Sequence, residues 1–345
     1  MGDRAARVLR AEVCKLLTVS TLILLAVFTA VVWKDLGRFT EFAAGQTPMA
    51  VAAEHTNEAR ADRCRAAGST EAECAGAEQT LQLNRHFTPN AVALGRRAMA
   101  VRTVPGILTF VAHQLGSGLG WLVLGMLAAI HITRERAART IEQSIVRTGR
   151  ALFLVGKAVS MWLASVALLV GSTVALTAIR PTFTNVVHVP PATVGIDVPH
   201  QGVGSPLGAD RAWSSWAHAL GAAGRCLLVT LVVCTIFSLL ASAFRDPIAA
   251  AVTLGGSTIA MFLVVDWWGH PNWVPERAVA AVLGSRGGPF GSTDMRLWDP
   301  AGRPTSIYLP ATVPTVPVVA TIAWLAVAGV IAVLAARSFL QRRTL

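Results

Sequence analysis

Charged side chains are scarce in this chain: 14% of its 345 residues are Asp, Glu, Lys or Arg, against about a quarter in soluble domains. Beside a hydrophobic content of 53%, that shortage excludes an ordinary water-soluble fold. Acids are scarcer than bases, 19 against 30, for a formal charge of +11. No basic stretch is interleaved with stacking aromatics, so nucleic acid is not the expected partner. Clustered metal ligands are missing as well. His55, His86, His188, His200, His218 and His270 are isolated from one another, and no His, Cys or carboxylate group shows metal-site spacing, so no metal centre is expected. A phosphate-binding loop is also absent. The nearest stretch, Gly149 to Gly156-Lys157-Ala158, has six residues between its glycines and Ala after the Lys, where a phosphate cradle needs four and a Ser or Thr for magnesium. Gly116-Ser117-Gly118 with His113 one turn earlier invites comparison with an intramembrane serine protease. Leu115 stands where such a site needs Gly, however, and Gly116 and Gly120 form a small-xxx-small pattern suited to close helix packing.

What the chain does have is apolar length. Eighteen uncharged residues, 16–33, follow Arg4, Arg7, Arg10 and Lys15, and comparable runs recur at 104–133, 158–179, 226–244, 247–266 and 313–336. About twenty apolar residues let an α-helix cross a hydrocarbon core of roughly 30 Å, where lipid cannot satisfy exposed backbone N–H and C=O groups. The first run exceeds the apolar stretch of a secretory signal, and no convincing small-residue cleavage site follows, so it is expected to stay as an anchor. The expected fold is therefore an all-α polytopic membrane protein with six transmembrane helices.

Lys and Arg density sets the orientation. Segments 1–15 and 134–157, the link at Arg245 and the tail 337–345 hold fourteen basic residues in about fifty positions, while 34–103, 180–225 and 267–312 hold sixteen in about three times that length. Both termini and segment 134–157 are thus expected in the cytoplasm, and the three long loops outside. The first of these, 34–103, alternates charged and Ala-rich stretches and should form a small helical cap. It carries Cys64 and Cys74, the one pair placed to form a disulfide if that loop faces an oxidising compartment; two reduced thiols are the alternative. Loop 180–225 holds Pro181, Pro190, Pro191, Pro199 and Pro206 and should be irregular. Loop 267–312 opens on Trp267, Trp268 and Trp273, whose rings suit the headgroup layer. His113 and Ser117 are polar groups inside an apolar run, candidates for lining a substrate path.

Two cytoplasmic segments carry more. Over residues 4–16, Ala5, Leu9, Val13 and Leu16 share a side opposite Arg4, Arg7 and Lys15, as in a helix lying in the membrane interface. In 134–157, Ile141, Ile145 and Thr148 share one face at helical spacing before Gly149, forming a knob between two spans. The series Arg10-Ala11-Glu12-Val13-Cys14-Lys15-Leu16, six spans, and Glu135, Thr140, Val146, Arg150 and Lys157 after the second span resemble permease subunits of type 2 ATP-binding-cassette exporters, especially actinobacterial ones. Arg139 stands where that family usually has Gly, and Thr148 where it has Pro. The resemblance implies a multi-pass subunit of a bacterial plasma membrane that pairs with a second copy. It also implies a separate cytoplasmic ATPase that supplies ATP and magnesium chemistry, with no cofactor in this chain. Arg7, Arg10, Glu12, Lys15, Glu135, Thr140, Ile141, Ile145 and Arg150 would then couple to that ATPase through the interfacial helix and a coupling helix in 134–157. An intramembrane protease-like enzyme and a ligand-sensing or immunity protein are the alternatives.

Overall fold

The computed structural model describes residues 18–68, 71–116, 118–137, 150–179, 214–244, 246–267, 292–298 and 304–310, with isolated positions in 6–14 and 326–337. Among these residues the chain is almost entirely helical. In order come α1 (Val19–Ala66), α2 (Glu71–Ala100), α3 (Val104–Gly116), α4 (Gly118–Ala137), α5 (Arg150–Ile179), α6 (Trp216–Ala243), α7 (Pro247–Trp267), β1 (Ser292–Trp298) and β2 (Pro304–Pro310). The coupling helix expected within 134–157 falls largely on 138–149, outside the described residues, as do the interior of loop 180–225 and most of the sixth run.

Two helical stretches, Leu152–Ile179 and Trp216–Ala243, are each long and apolar enough to cross a membrane. At 28 residues each, they extend about 42 Å, enough for a hydrocarbon core and both interfaces. A third candidate is the pair Val104–Gly116 and Gly118–Thr133, which meets at a 61° bend. The sequence gives 104–133 as one uninterrupted span; the described helices instead meet at this bend between Gly116 and Gly118. Gly120 accounts for the local geometry, because a Cβ there would overlap the backbone of Leu115 at the end of α3. The small residue serves the turn of its own chain rather than the approach of a separate helix.

The first expected span also differs, since α1 does not stop at Trp33. It runs on as a single 48-residue helix with Pro48 inside, so the first apolar run and the cap share one rod. The cap is the outer part of α1 folded antiparallel against α2. Gly68, at φ 68°, closes the turn in the left-handed region that an L side chain resists. The Sγ atoms of Cys64 and Cys74 are bonded across it, with Cα atoms 5.8 Å apart. Ala50, Val51, Ala61 and Leu81 fill the seam, and exposed ion pairs Arg65–Glu78 (3.3 Å) and Arg85–Glu58 (2.9 Å) border it.

The all-α expectation is corrected by β1 and β2, an antiparallel hairpin pairing Ser292 with Pro310 and Trp298 with Pro304. It lies in the third long loop, with β2 against α2 of the cap. Five residues join the strands, Asp299-Pro300-Ala301-Gly302-Arg303, a composition that favours a chain reversal.

The core lies where α3, α4, α5 and α6 cross, with α1 along one side and α7 on α4. Phe28, Leu36, Ile107, Phe110, Leu124, Ile132, Met161 and Leu176 are buried there. Hydroxyls inside the bundle return to the carbonyl three or four residues back, as Thr109 to Pro105 (2.9 Å) and Thr173 to Leu169 (2.7 Å), so they need no water. Others bridge helices: Thr29 meets Ser172 at 2.8 Å, Ser165 donates to Thr230 at 3.1 Å, and the Trp162 indole donates to the Leu227 carbonyl at 2.9 Å. Outward faces are apolar, with Ile23, Val27, Val170, Val174, Leu228, Val232 and Val252 exposed, as lipid requires.

Gly120→Ala should force the break to shift and cost about 1–3 kcal/mol as overpacking does. Gly224→Ala, whose Cβ meets open space, should be neutral; equal thermal midpoints for the two variants in detergent would refute the close-approach account. Cys64→Ser with Cys74→Ser, opening a separation of 10 residues, should destabilise the cap by about 3 kcal/mol. The check is proteolysis at Ala67–Gly68, which should accelerate while the bundle stays protected.

Candidate functional site: a buried charge cluster

Two helices present charged groups to each other at helical spacing. On α4, His131 and Glu135 are four residues apart and share a face near its C-terminal end; on α5, Phe153 and Lys157 do the same in its opening turns. The twelve residues 138–149 connect these two stems. Glu12, helical with Arg10 and Ala11 ahead of α1, enters between them.

Lys157 is the hub. Its side chain is 0% exposed, and Nζ lies 2.5 Å from Glu12 Oε2 and 2.9 Å from Glu135 Oε1. The same nitrogen stands 3.2 Å from His131 Nε2 and 5.3 Å above the Phe153 ring. His131 Nε2 is 3.5 Å from Glu12 Oε2. An isolated ammonium removed from water would lose several kcal/mol; here two carboxylates, an imidazole and an aromatic face surround the lysine nitrogen. Glu12 and Glu135 have further polar contacts besides the lysine, which spreads their charge beyond a single pair. Among the described residues no three His, Cys, Asp or Glu side chains are disposed to hold a metal ion; the cation of this cluster is the lysine itself. The arrangement holds three chain segments together.

Of the residues singled out in the sequence, the structure brings Glu12 and Glu135 together through Lys157. Arg10, two residues before Glu12, is exposed. Arg150 is the first residue of α5. Arg7, Lys15, Ser117, Thr140, Ile141 and Ile145 lie outside the described residues. His113 is buried in α3 together with Gln114, one turn before the break, and both have polar partners. His131 escaped the sequence reading, hidden at the end of an apolar run. Lys157 was legible as the last member of the series after the second span, but not as a buried hub. The usable signal was a pair of i,i+4 couples, His131/Glu135 and Phe153/Lys157, facing one another across a short connection.

Comparison with known proteins gives no match to a family model, to a curated protein or to a solved structure.

Lys157→Met should leave two buried carboxylates without their cation and lose about 3–5 kcal/mol, the usual consequence of removing one partner from a buried pair. Adding Glu12→Gln and Glu135→Gln to that variant removes the stranded charge and should recover most of the loss in thermal unfolding. A single Lys157→Met variant as stable as the parent would show that the cluster does not carry buried charge.

Proposed function

We propose that this chain is the transmembrane permease subunit of an ATP-binding-cassette exporter, working as a homodimer and driven by a separate cytoplasmic ATPase. The observation that carries the reading is the meeting of two regions distant in sequence. The resemblance to type 2 exporter permeases is sharpest at residues 4–16 and 134–157, and Glu12, Glu135 and Lys157 from those two regions form one buried cluster. A segment that receives force from a partner must be anchored at both ends, or the push dissipates in loop motion. Here the two stems of 138–149 and the N-terminal helix share a common ionic knot.

In this reading six helices cross a bacterial plasma membrane with both termini inside. The N-terminal helix lies in the cytoplasmic interface, its basic side toward anionic lipid. A disulfide in the cap suits an oxidising exterior, and the hairpin in the third long loop rests on the same cap, in keeping with both loops facing outward. Ile141 and Ile145 would enter a cleft of the ATPase, with Thr140 and Arg150 at the edges. His113 and Ser117 would line the path near the α3–α4 bend, where a broken helix leaves backbone groups able to meet a polar cargo. ATP and magnesium would bind the partner chain alone. The cap itself favours a second reading, a membrane sensor or immunity protein that binds its ligand outside, since a disulfide-closed helical hairpin offers a rigid external surface.

Ile141→Asp with Ile145→Asp should abolish co-purification of a cytoplasmic ATPase and its vanadate-sensitive turnover with this subunit. Unchanged recruitment would refute the docking reading. Peptide cleavage lost on Ser117→Ala would replace transport by proteolysis, and specific ligand binding by the cap without any ATPase dependence would favour the sensor.

A further inference from the structure

The contacts of Lys157 define a protonation state for its neighbour. An ammonium has three N–H donors, and three acceptors stand around this one: Glu12 Oε2 at 2.5 Å, Glu135 Oε1 at 2.9 Å and His131 Nε2 at 3.2 Å. The third contact needs a lone pair on Nε2, hence a neutral imidazole with its proton on Nδ1. A proton added at Nε2 removes the lone pair and sets an N–H⁺ against the ammonium. The acceptor left for it is Glu12 Oε2, at 3.5 Å, the oxygen already held by Lys157. Two cations then compete for one carboxylate oxygen in a place without water. Among the described residues, the charged groups acting on the imidazole are Glu12 from the N-terminal segment, Glu135 from α4 itself and Lys157 from α5.

We infer that His131 is a proton-operated release for the N-terminal segment. With the imidazole neutral, Lys157 donates to Nε2, pairs with both carboxylates and ties Glu12 to the stems of α4 and α5. With the imidazole protonated, Lys157 is repelled, its bond to Glu12 Oε2 is contested, and the segment loosens while α4 and α5 remain joined through Glu135. The sign follows from the geometry: the tie is complete on the alkaline side of the imidazole's titration and is lost as pH falls through it. The inference stands on the cluster and does not depend on the transport reading.

The test uses the full chain in lipid nanodiscs with no ATPase present, so its failure leaves the transport reading untouched. Spin labels go on Arg10→Cys and Val155→Cys, both exposed positions, with Cys14, Cys226 and Cys234 replaced by Ser and the disulfide kept. The distance distribution should be narrow at about pH 8 and broaden about twofold, reversibly, at about pH 5.5. His131→Gln, whose amide oxygen accepts from Lys157 and does not titrate, should stay narrow at both. A wild-type distribution that is unchanged or narrower in acid overturns the inference, because the imidazolium would then be tolerated or would tighten the cluster by neutralising its second carboxylate. An equal acid response in His131→Gln overturns it too. Where His131→Gln does not fold, His131→Asn supplies the same amide, and the wild-type comparison decides by itself.

Discussion

A lysine ammonium with no access to solvent organises one end of this molecule. Charge in a dry place must be matched within hydrogen-bonding reach, and the two carboxylates that match Lys157 come from segments more than a hundred residues apart in the chain, Glu12 and Glu135. Satisfying that one group fixes three things together: where the N-terminal segment lies, how α4 ends and how α5 begins. A hydrophobic contact at the same place would tolerate sliding, since it has no preferred partner. The ionic knot does not, because each step away from its geometry uncovers a buried charge.

The rest of the bundle is held by a different economy of contacts. Lipid offers no hydrophobic reward for bringing two apolar helices together, so association relies on close packing and on hydroxyls that find acceptors without water. Thr29 with Ser172, Ser165 with Thr230 and the Trp162 indole on the Leu227 carbonyl provide those links between α1, α5 and α6. The cap follows the rules of water-exposed structure, with a covalent bridge, ion pairs at the rim and an alanine-rich seam. One chain thus uses three kinds of cohesion, ionic at the Lys157 cluster, hydroxyl and packing in the bundle, covalent in the cap.

Much of this was legible from residue types. The apolar runs located α5, α6 and α7 to within about ten residues, because composition alone decides what lipid accepts. Cys64 and Cys74 stood out by sharing a polar loop. Glu12 and Glu135 were found by pattern, yet the pattern could not show that they meet, since contact between distant segments leaves no local trace. His131 was missed because a single histidine scarcely lowers the apolarity of its run. The bend between α3 and α4 was invisible for a related reason: a glycine such as Gly120 serves helix packing and a sharp bend alike, and only the proximity of the Leu115 backbone distinguishes the two. The continuity of α1 through Lys34, Asp35 and Arg38 was obscured by charge, which marks the end of a membrane run but not the end of a helix.

That continuity has a mechanical side. A 48-residue helix extends about 72 Å, so a tilt of about 5° at its inner end sweeps the far tip through about 6 Å. A lever of that ratio would convert a sub-nanometre adjustment at the N-terminal end into a visible swing of the helical hairpin at the other, with no intermediate joint to absorb it except the proline at position 48.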